Sequence, residues 1–83
     1  MQKHNDIQET VIRIIADHLG LPAASLDVNA HILDDLGGDS LDHVELIITI
    51  EERFGINIRD EDRPAMLRIS DVIGYIKRNS HAS

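Results

Sequence analysis

A serine flanked by an aspartate and followed three residues on by a histidine, Asp39, Ser40 and His43, brings together the side chains of this 83-residue chain with most chemical potential. Three chemistries are open to them. Ser40 and His43, at i and i+3, could approach each other, with Asp39 or Asp35 orienting the imidazole, which is the logic of a serine hydrolase. The flanking residues do not form a Gly-x-Ser-x-Gly elbow, no oxyanion hole is evident, and so short a chain offers little room for a pocket. Alternatively, Asp34, Asp35, Asp39 and His43 could gather around a divalent cation. Their spacing is not that of a calcium loop, and a run of carboxylates is more often a solvated face, so weak cation binding that relieves repulsion is the expectation. The third chemistry is esterification of Ser40 by a phosphate, which would face the free N–H groups and positive dipole end of a helix. On spacing alone an ordinary Asp-Ser helix start explains the pair, because both residues are common there.

The elements around this segment decide how its side chains are presented. Asn5 with Gln8 at N3 offers a cap for a first helix, in which Ile7, Val11, Ile14, Ile15 and His18 share a face and Gly20 and Pro22 mark the stop. Residues 21–38 carry scattered apolar side chains (Leu21, Leu26, Val28, Ile32, Leu33, Leu36) without a sustained period, which predicts a long ordered loop. Asp39 as N-cap and Asp42 at N3 open a second helix running to Phe54, with Gly55 beyond its end. Ile56 to Ile58 read as extended. Between Asp60 and Leu67, Pro64 permits only a short or distorted helical turn. Ser70 is the expected cap of a last helix with an Ile69, Val72, Ile73, Ile76 stripe and Lys77 and Arg78 at its C-terminal end.

The second helix has two apolar faces. Leu46, Ile47, Ile50 and Phe54 share the core side with His43. Leu41, Val44 and Ile48 occupy another face, bordered by Glu45 and Glu52 on one side and Glu51 on the other. Such a strip has the anatomy of a protein-binding surface, apolar at its centre and charged at its rim. Burial of a broad face within a bundle would use the same residues. His18 is expected to be half-buried near a helix C-terminus; His4, His31 and His81 read as surface or tail residues, and no histidine cluster is evident.

Composition narrows the function classes. At 83 residues, with 42% apolar and 28% charged residues and only 2% aromatic, the chain reads as one globular domain whose core is aliphatic. No cysteine is present, so a disulfide, a thiolate metal site or a thiol nucleophile of its own is excluded. A formal charge of −7 argues against nucleic-acid binding and favours partners with basic patches. Ten of the acids fall between Asp34 and Asp62, against two bases, Arg53 and Arg59. Met1 to Asp6 lacks a basic stretch leading into an apolar one, and no apolar run nears membrane-spanning length, so a soluble cytoplasmic protein without membrane insertion is expected.

The run Asp34-Asp35-Leu36-Gly37-Gly38-Asp39-Ser40-Leu41-Asp42-His43-Val44-Glu45-Leu46 closely resembles the acyl carrier protein family, whose attachment motif Asp39-Ser40-Leu41 matches. The similarity continues through Glu51-Glu52-Arg53-Phe54-Gly55, Ile58, Asp60-Glu61 and Tyr75-Ile76. The resemblance implies an all-α four-helix bundle: three main helices, a short irregular third helix, and a long loop between helices one and two. It further implies that residues 1–83 form a single carrier domain, non-enzymatic and monomeric. A phosphopantetheinyl transferase would move a 4′-phosphopantetheine arm from coenzyme A onto Ser40, with Asp39 orienting the site. Acyl groups would then ride as thioesters to biosynthetic enzymes with basic docking patches, in fatty acid, polyketide or related specialised pathways. Asp35, Leu41, Asp42, Val44, Glu45, Ile48, Glu51 and Glu52 would form the docking surface. Gly37-Gly38 before the motif also resembles peptidyl carrier domains of peptide synthetases, whereas the acidic helix argues for the acyl type. His43 stands where the family places a small residue and would narrow or polarise the acyl channel, and Pro64 makes the third helix atypical; both point to a specialised carrier. The short tails suggest a freestanding one. An acidic adaptor without a covalent arm would account for the charge but leave Ser40 without a role.

Overall fold

The computed structural model describes residues 3–79, with side chains from residue 7 onward. Three helices, α1 (Lys3–Leu19), α2 (Ser40–Phe54) and α3 (Ile69–Asn79), are joined by connections that contain 3₁₀ segments at Ala23–Ser25 and Asp60–Ala65. The architecture is the expected all-α one, with Asp60–Ala65 as its short irregular element. No strand occurs among the described residues; one antiparallel bridge pairs His31 with Arg68.

Helix α1 already runs at Lys3, so Asn5 lies inside it and not at its cap. No Gly or Pro occurs between Lys3 and Leu19, so nothing in that stretch prevents the helix from extending back through Asn5. Val11, Ile14 and Ile15 are buried, and the helix packs against both α2 and α3. Helix α2 buries Leu46, Ile47 and Ile50 and ends at Gly55, whose left-handed backbone lets its N–H reach Glu51 O. Helix α3 buries the whole expected stripe and Tyr75 as well.

The cap of α3 differs from expectation. The helix begins at Ile69, and Asp71 Oδ2 accepts the N–H groups of Arg68 (2.9 Å) and Leu67 (3.3 Å). Ser70 instead donates its backbone N–H to Val28 O at 2.7 Å. The pairing of His31 with Arg68 fixes the chain just before Ile69, which is fully buried, and this starts the helix two residues early.

Residues 21–38 are ordered by tertiary contacts. Ile32 is buried, and Leu26, Val28, Leu33 and Leu36 pack against the core. Ile32 N–H donates to Leu67 O (2.8 Å) and Ile69 N–H to Ala30 O (3.3 Å), so this loop and the approach to α3 satisfy each other's backbone groups. His31 is a structural residue and no surface ornament: its Nδ1 accepts the N–H groups of Leu33 (3.2 Å) and Asp34 (3.1 Å), which places the ring proton on Nε2 in the neutral form. The His4 side chain and His81 lie outside the described residues.

Pro64 explains the 3₁₀ form of Asp60–Ala65. In an α-helix its ring would strike the carbonyl four residues back, so the segment takes the tighter turn, with Asp62 N–H on Arg59 O (2.9 Å) and Met66 N–H on Arg63 O (3.0 Å). Tyr75 Oη donates to Asp62 Oδ2 at 3.0 Å and fastens the segment to α3.

Candidate functional site

Ser40 is the first residue of α2, and the chain reaches it through two glycines with different tasks. Gly37 has φ +79, a left-handed conformation that side chains other than glycine rarely adopt, and a Cβ there would meet open space. Gly38 makes a close approach, because a Cβ would stand 3.3 Å from Ile32 O and 3.5 Å from Leu19. Gly38 thus holds the turn against the loop and α1, while the space outside Gly37 stays open.

Asp39 and Asp42 form a reciprocal capping box. Asp42 N–H donates to Asp39 Oδ1 (2.9 Å), and Asp39 N–H donates to Asp42 Oδ2 (3.0 Å). The N–H groups of Ser40 and Leu41, in the first turn, have no partner among the described residues. Exposed Ser40 therefore stands beside free donors at the positive end of a fixed helix, in an otherwise acidic neighbourhood.

A second tie holds this end of α2. His18, in the last turn of α1, sets Nε2 3.0 Å from Asp42 Oδ1 and 3.3 Å from Glu45 Oε1. Its side chain is 25% exposed, so it sits at the edge of the interface and not on the core face expected for it. The Asp39 N–H, and after it the His18 imidazole, hold the Asp42 carboxyl below the ordinary carboxylate range.

Leu41, Val44 and Ile48 are 63%, 43% and 43% exposed, an apolar strip on the solvent side of α2 that the core leaves free. Glu45 and Glu52 are exposed beside it on the same helix; Asp35, in the preceding loop, is also exposed, and its Oδ2 accepts the His31 N–H at 2.7 Å. Glu51 does not belong to this rim. Its side chain is only 16% exposed, Oε2 accepts the Ile58 N–H at 2.7 Å, and the Arg63 guanidinium lies 3.6 Å away. The reason is packing: Ile58 is buried, and its N–H needs an acceptor that the backbone does not supply.

The rival constellations do not assemble. His43 Nε2 is 2.7 Å from Met66 O; a carbonyl only accepts, so Nε2 carries its proton and donates there and not toward Ser40. With Asp35 on His31, Asp39 on Asp42 and His43 on Met66, the quartet of Asp34, Asp35, Asp39 and His43 does not converge as a cation site.

Residues 9–63 match the family described as phosphopantetheine attachment site. The acyl carrier protein of Sinorhizobium fredii (strain NBRC 101917 / NGR234) is 42% identical over 74 residues, which is 89% of this chain and 95% of that protein. The same values hold for acyl carrier protein AcpP of Rhizobium meliloti (strain 1021). The acyl carrier protein of Nitratidesulfovibrio vulgaris (strain DSM 19637 / Miyazaki F) is 45% identical over 71 residues, 86% of this chain and 93% of that protein. The chain belongs to the acyl carrier protein family. Acyl carrier proteins are carriers and not catalysts, and their cofactor is 4′-phosphopantetheine. The start of α2 fits such a group, since the exposed Ser40 hydroxyl, the open space outside Gly37 and the free N–H groups of the first turn suit a tethered phosphate. Among the described residues, no helix of this carrier is long and apolar enough to cross a membrane.

Proposed function

We propose that Ser40 is the attachment residue of this acyl carrier protein and that the carrier serves a fatty acid, polyketide or related specialised pathway as a cytoplasmic monomer. The observation that carries the reading is the exposed hydroxyl at the first position of a helix whose cap is already complete. Asp39 and Asp42 satisfy each other, so the Ser40 Oγ is not needed for the cap and remains available to a transferase acting with coenzyme A. When bound, the phosphopantetheine arm supplies the thiol that the cysteine-free chain lacks and holds an acyl group as a thioester. The protein's own residues hold the tether: Gly37 and Gly38 set the turn, the capping box fixes the helix start, and His18 anchors it to α1.

Leu41, Val44 and Ile48, with Asp35, Asp42, Glu45 and Glu52 around them, support docking of enzymes with an apolar contact and a basic rim. Glu51 contributes to the fold of that helix and not to its outer face. Coexpression with a broad-specificity phosphopantetheinyl transferase, followed by intact-mass measurement, tests the reading. The wild-type chain should gain one arm and the Ser40→Ala variant none. An unmodified wild-type chain, or an arm retained by Ser40→Ala, would overturn it.

A further inference from the structure

Among the described residues, one group of side chains offers three potential metal-ligand atoms close together, and it is not the quartet suggested by the sequence. His18 Nε2, a carboxylate oxygen of Asp42 and one of Glu45 all lie within 4.8 Å of one another. They come from two helices, the last turn of α1 and the first two turns of α2. The separations from His18 Nε2 are 3.0 Å to Asp42 and 3.3 Å to Glu45. Donors bound to a tetrahedral zinc ion at ~2.0–2.2 Å stand about 3.3–3.6 Å apart along the tetrahedron's edge. The two edges from His18 thus already fit a metal in place of the imidazole proton now directed at Asp42, and the carboxylate pair, within 4.8 Å, closes the third by side-chain rotation.

We propose that His18, Asp42 and Glu45 form a three-ligand site for a borderline-soft divalent metal, Zn²⁺, at the joint of α1 and α2. The nitrogen donor is what sets this group apart from an acidic surface. Carboxylates alone suit Mg²⁺ or Ca²⁺, and the imidazole shifts preference to zinc. Two features favour binding. Asp42 is held by its second oxygen, Oδ2, on the Asp39 N–H, which aims Oδ1 at His18 as an outer-sphere partner aims a ligand. The formal charge of −7 lowers the cost of concentrating a dication at this end of the molecule. Three protein ligands leave the fourth position to water, and coordination through His18 Nε2 requires the proton there to move to Nδ1 or, from the imidazolium, to pass to solvent. Because Asp42 and Glu45 also border the exposed strip of α2, bound zinc would neutralise that part of the rim and pin α1 to the helix that begins at Ser40.

The test uses the intact unmodified protein, stripped with chelator and titrated with ZnCl₂ or MgCl₂ at matched ionic strength by calorimetry, with the histidine ring signals followed by NMR. One equivalent of Zn²⁺ should bind with the His18 ring signal shifting first, and Mg²⁺ should not move that signal. His18→Gln should weaken the site by at least ~10–100-fold, the range seen when even an outer-sphere partner is lost. Glu45→Gln should weaken it clearly, whereas Glu9→Gln, which removes the same charge from an exposed position on α1, should leave it intact. Equal effects of Glu45→Gln and Glu9→Gln would reduce the binding to diffuse charge attraction and overturn the site. So would a His18 ring signal in the wild-type protein that does not respond to zinc, a result that needs no variant to fold. Neither outcome bears on the attachment of an arm to Ser40.

Discussion

Replacing Glu51 by alanine separates a carboxylate that builds the fold from one that merely decorates the helix. Glu51 Oε2 accepts the Ile58 N–H at 2.7 Å, and Ile58 is 1% exposed, so water cannot take over the lost acceptor. A hydrogen bond to a charged group contributes ~1.5–3 kcal/mol, and leaving a buried donor unsatisfied puts the cost toward the upper part of that range. The half-exposed contact with Arg63 at 3.6 Å adds at most ~1 kcal/mol. The expected loss is about 2–3 kcal/mol, a large share of the net stability of a domain this small. At ~4–8 °C per kcal/mol for a chain of this size, the melting temperature should fall by about 10–20 °C. Removing any acid from a chain of charge −7 also relieves repulsion, which acts in the opposite direction. Glu52→Ala measures that effect, because Glu52 is the exposed neighbour and its loss should stay within ~0.5 kcal/mol. Thermal and urea unfolding of the two variants, followed by far-ultraviolet circular dichroism, gives the comparison. If Glu51→Ala melted within ~0.5 kcal/mol of Glu52→Ala, the structural role assigned to Glu51 would be refuted.

Two further outcomes follow from single contacts. The Asp42 carboxyl is depressed from its ordinary value of 3.8 by the Asp39 N–H and then by His18, so its contribution to stability is fully present above that value and is lost as pH falls through the lower folded value. In chelator-treated protein the stability gap between wild type and Asp42→Asn should therefore narrow on acidification from neutral pH to below 3.8, and a gap that stays constant in urea titrations would contradict this. Gly74→Ala should stabilise α3, since alanine gains ~1 kcal/mol over glycine inside a helix. The added Cβ meets only Arg78 Nη1, at 3.3 Å, the end of a flexible side chain whose contact with the Tyr75 ring contributes at most ~1 kcal/mol. A net gain of about 0.5 kcal/mol is expected in the melting curve, and a destabilised variant would show that Arg78 cannot move aside.

The sequence alone determined the features that depend on neighbours within a turn or two. The capping box of Asp39 and Asp42, the glycine that ends α2, the buried Ile69, Val72, Ile73 and Ile76, and the division of the apolar residues of α2 into two faces all follow from helical spacing and side-chain type, whereas only packing left the Leu41, Val44, Ile48 face exposed. The distorted turn at Pro64 belongs with them, because a missing N–H acts on its own turn. Tertiary structure decided the partners of the polar residues. His18 meets Asp42 across 24 positions, and His43 meets Met66 across 23, separations at which no periodicity constrains who pairs with whom. Glu51 shares the outward pattern of Glu52 until Ile58 is buried beneath it and its N–H requires an acceptor. Asp71 takes the capping role from Ser70 only because the loop before α2 pairs with the chain entering α3. Hydrophobic periodicity is written along one helix at a time, whereas a buried N–H or an interhelical carboxylate finds its partner only after the helices have packed.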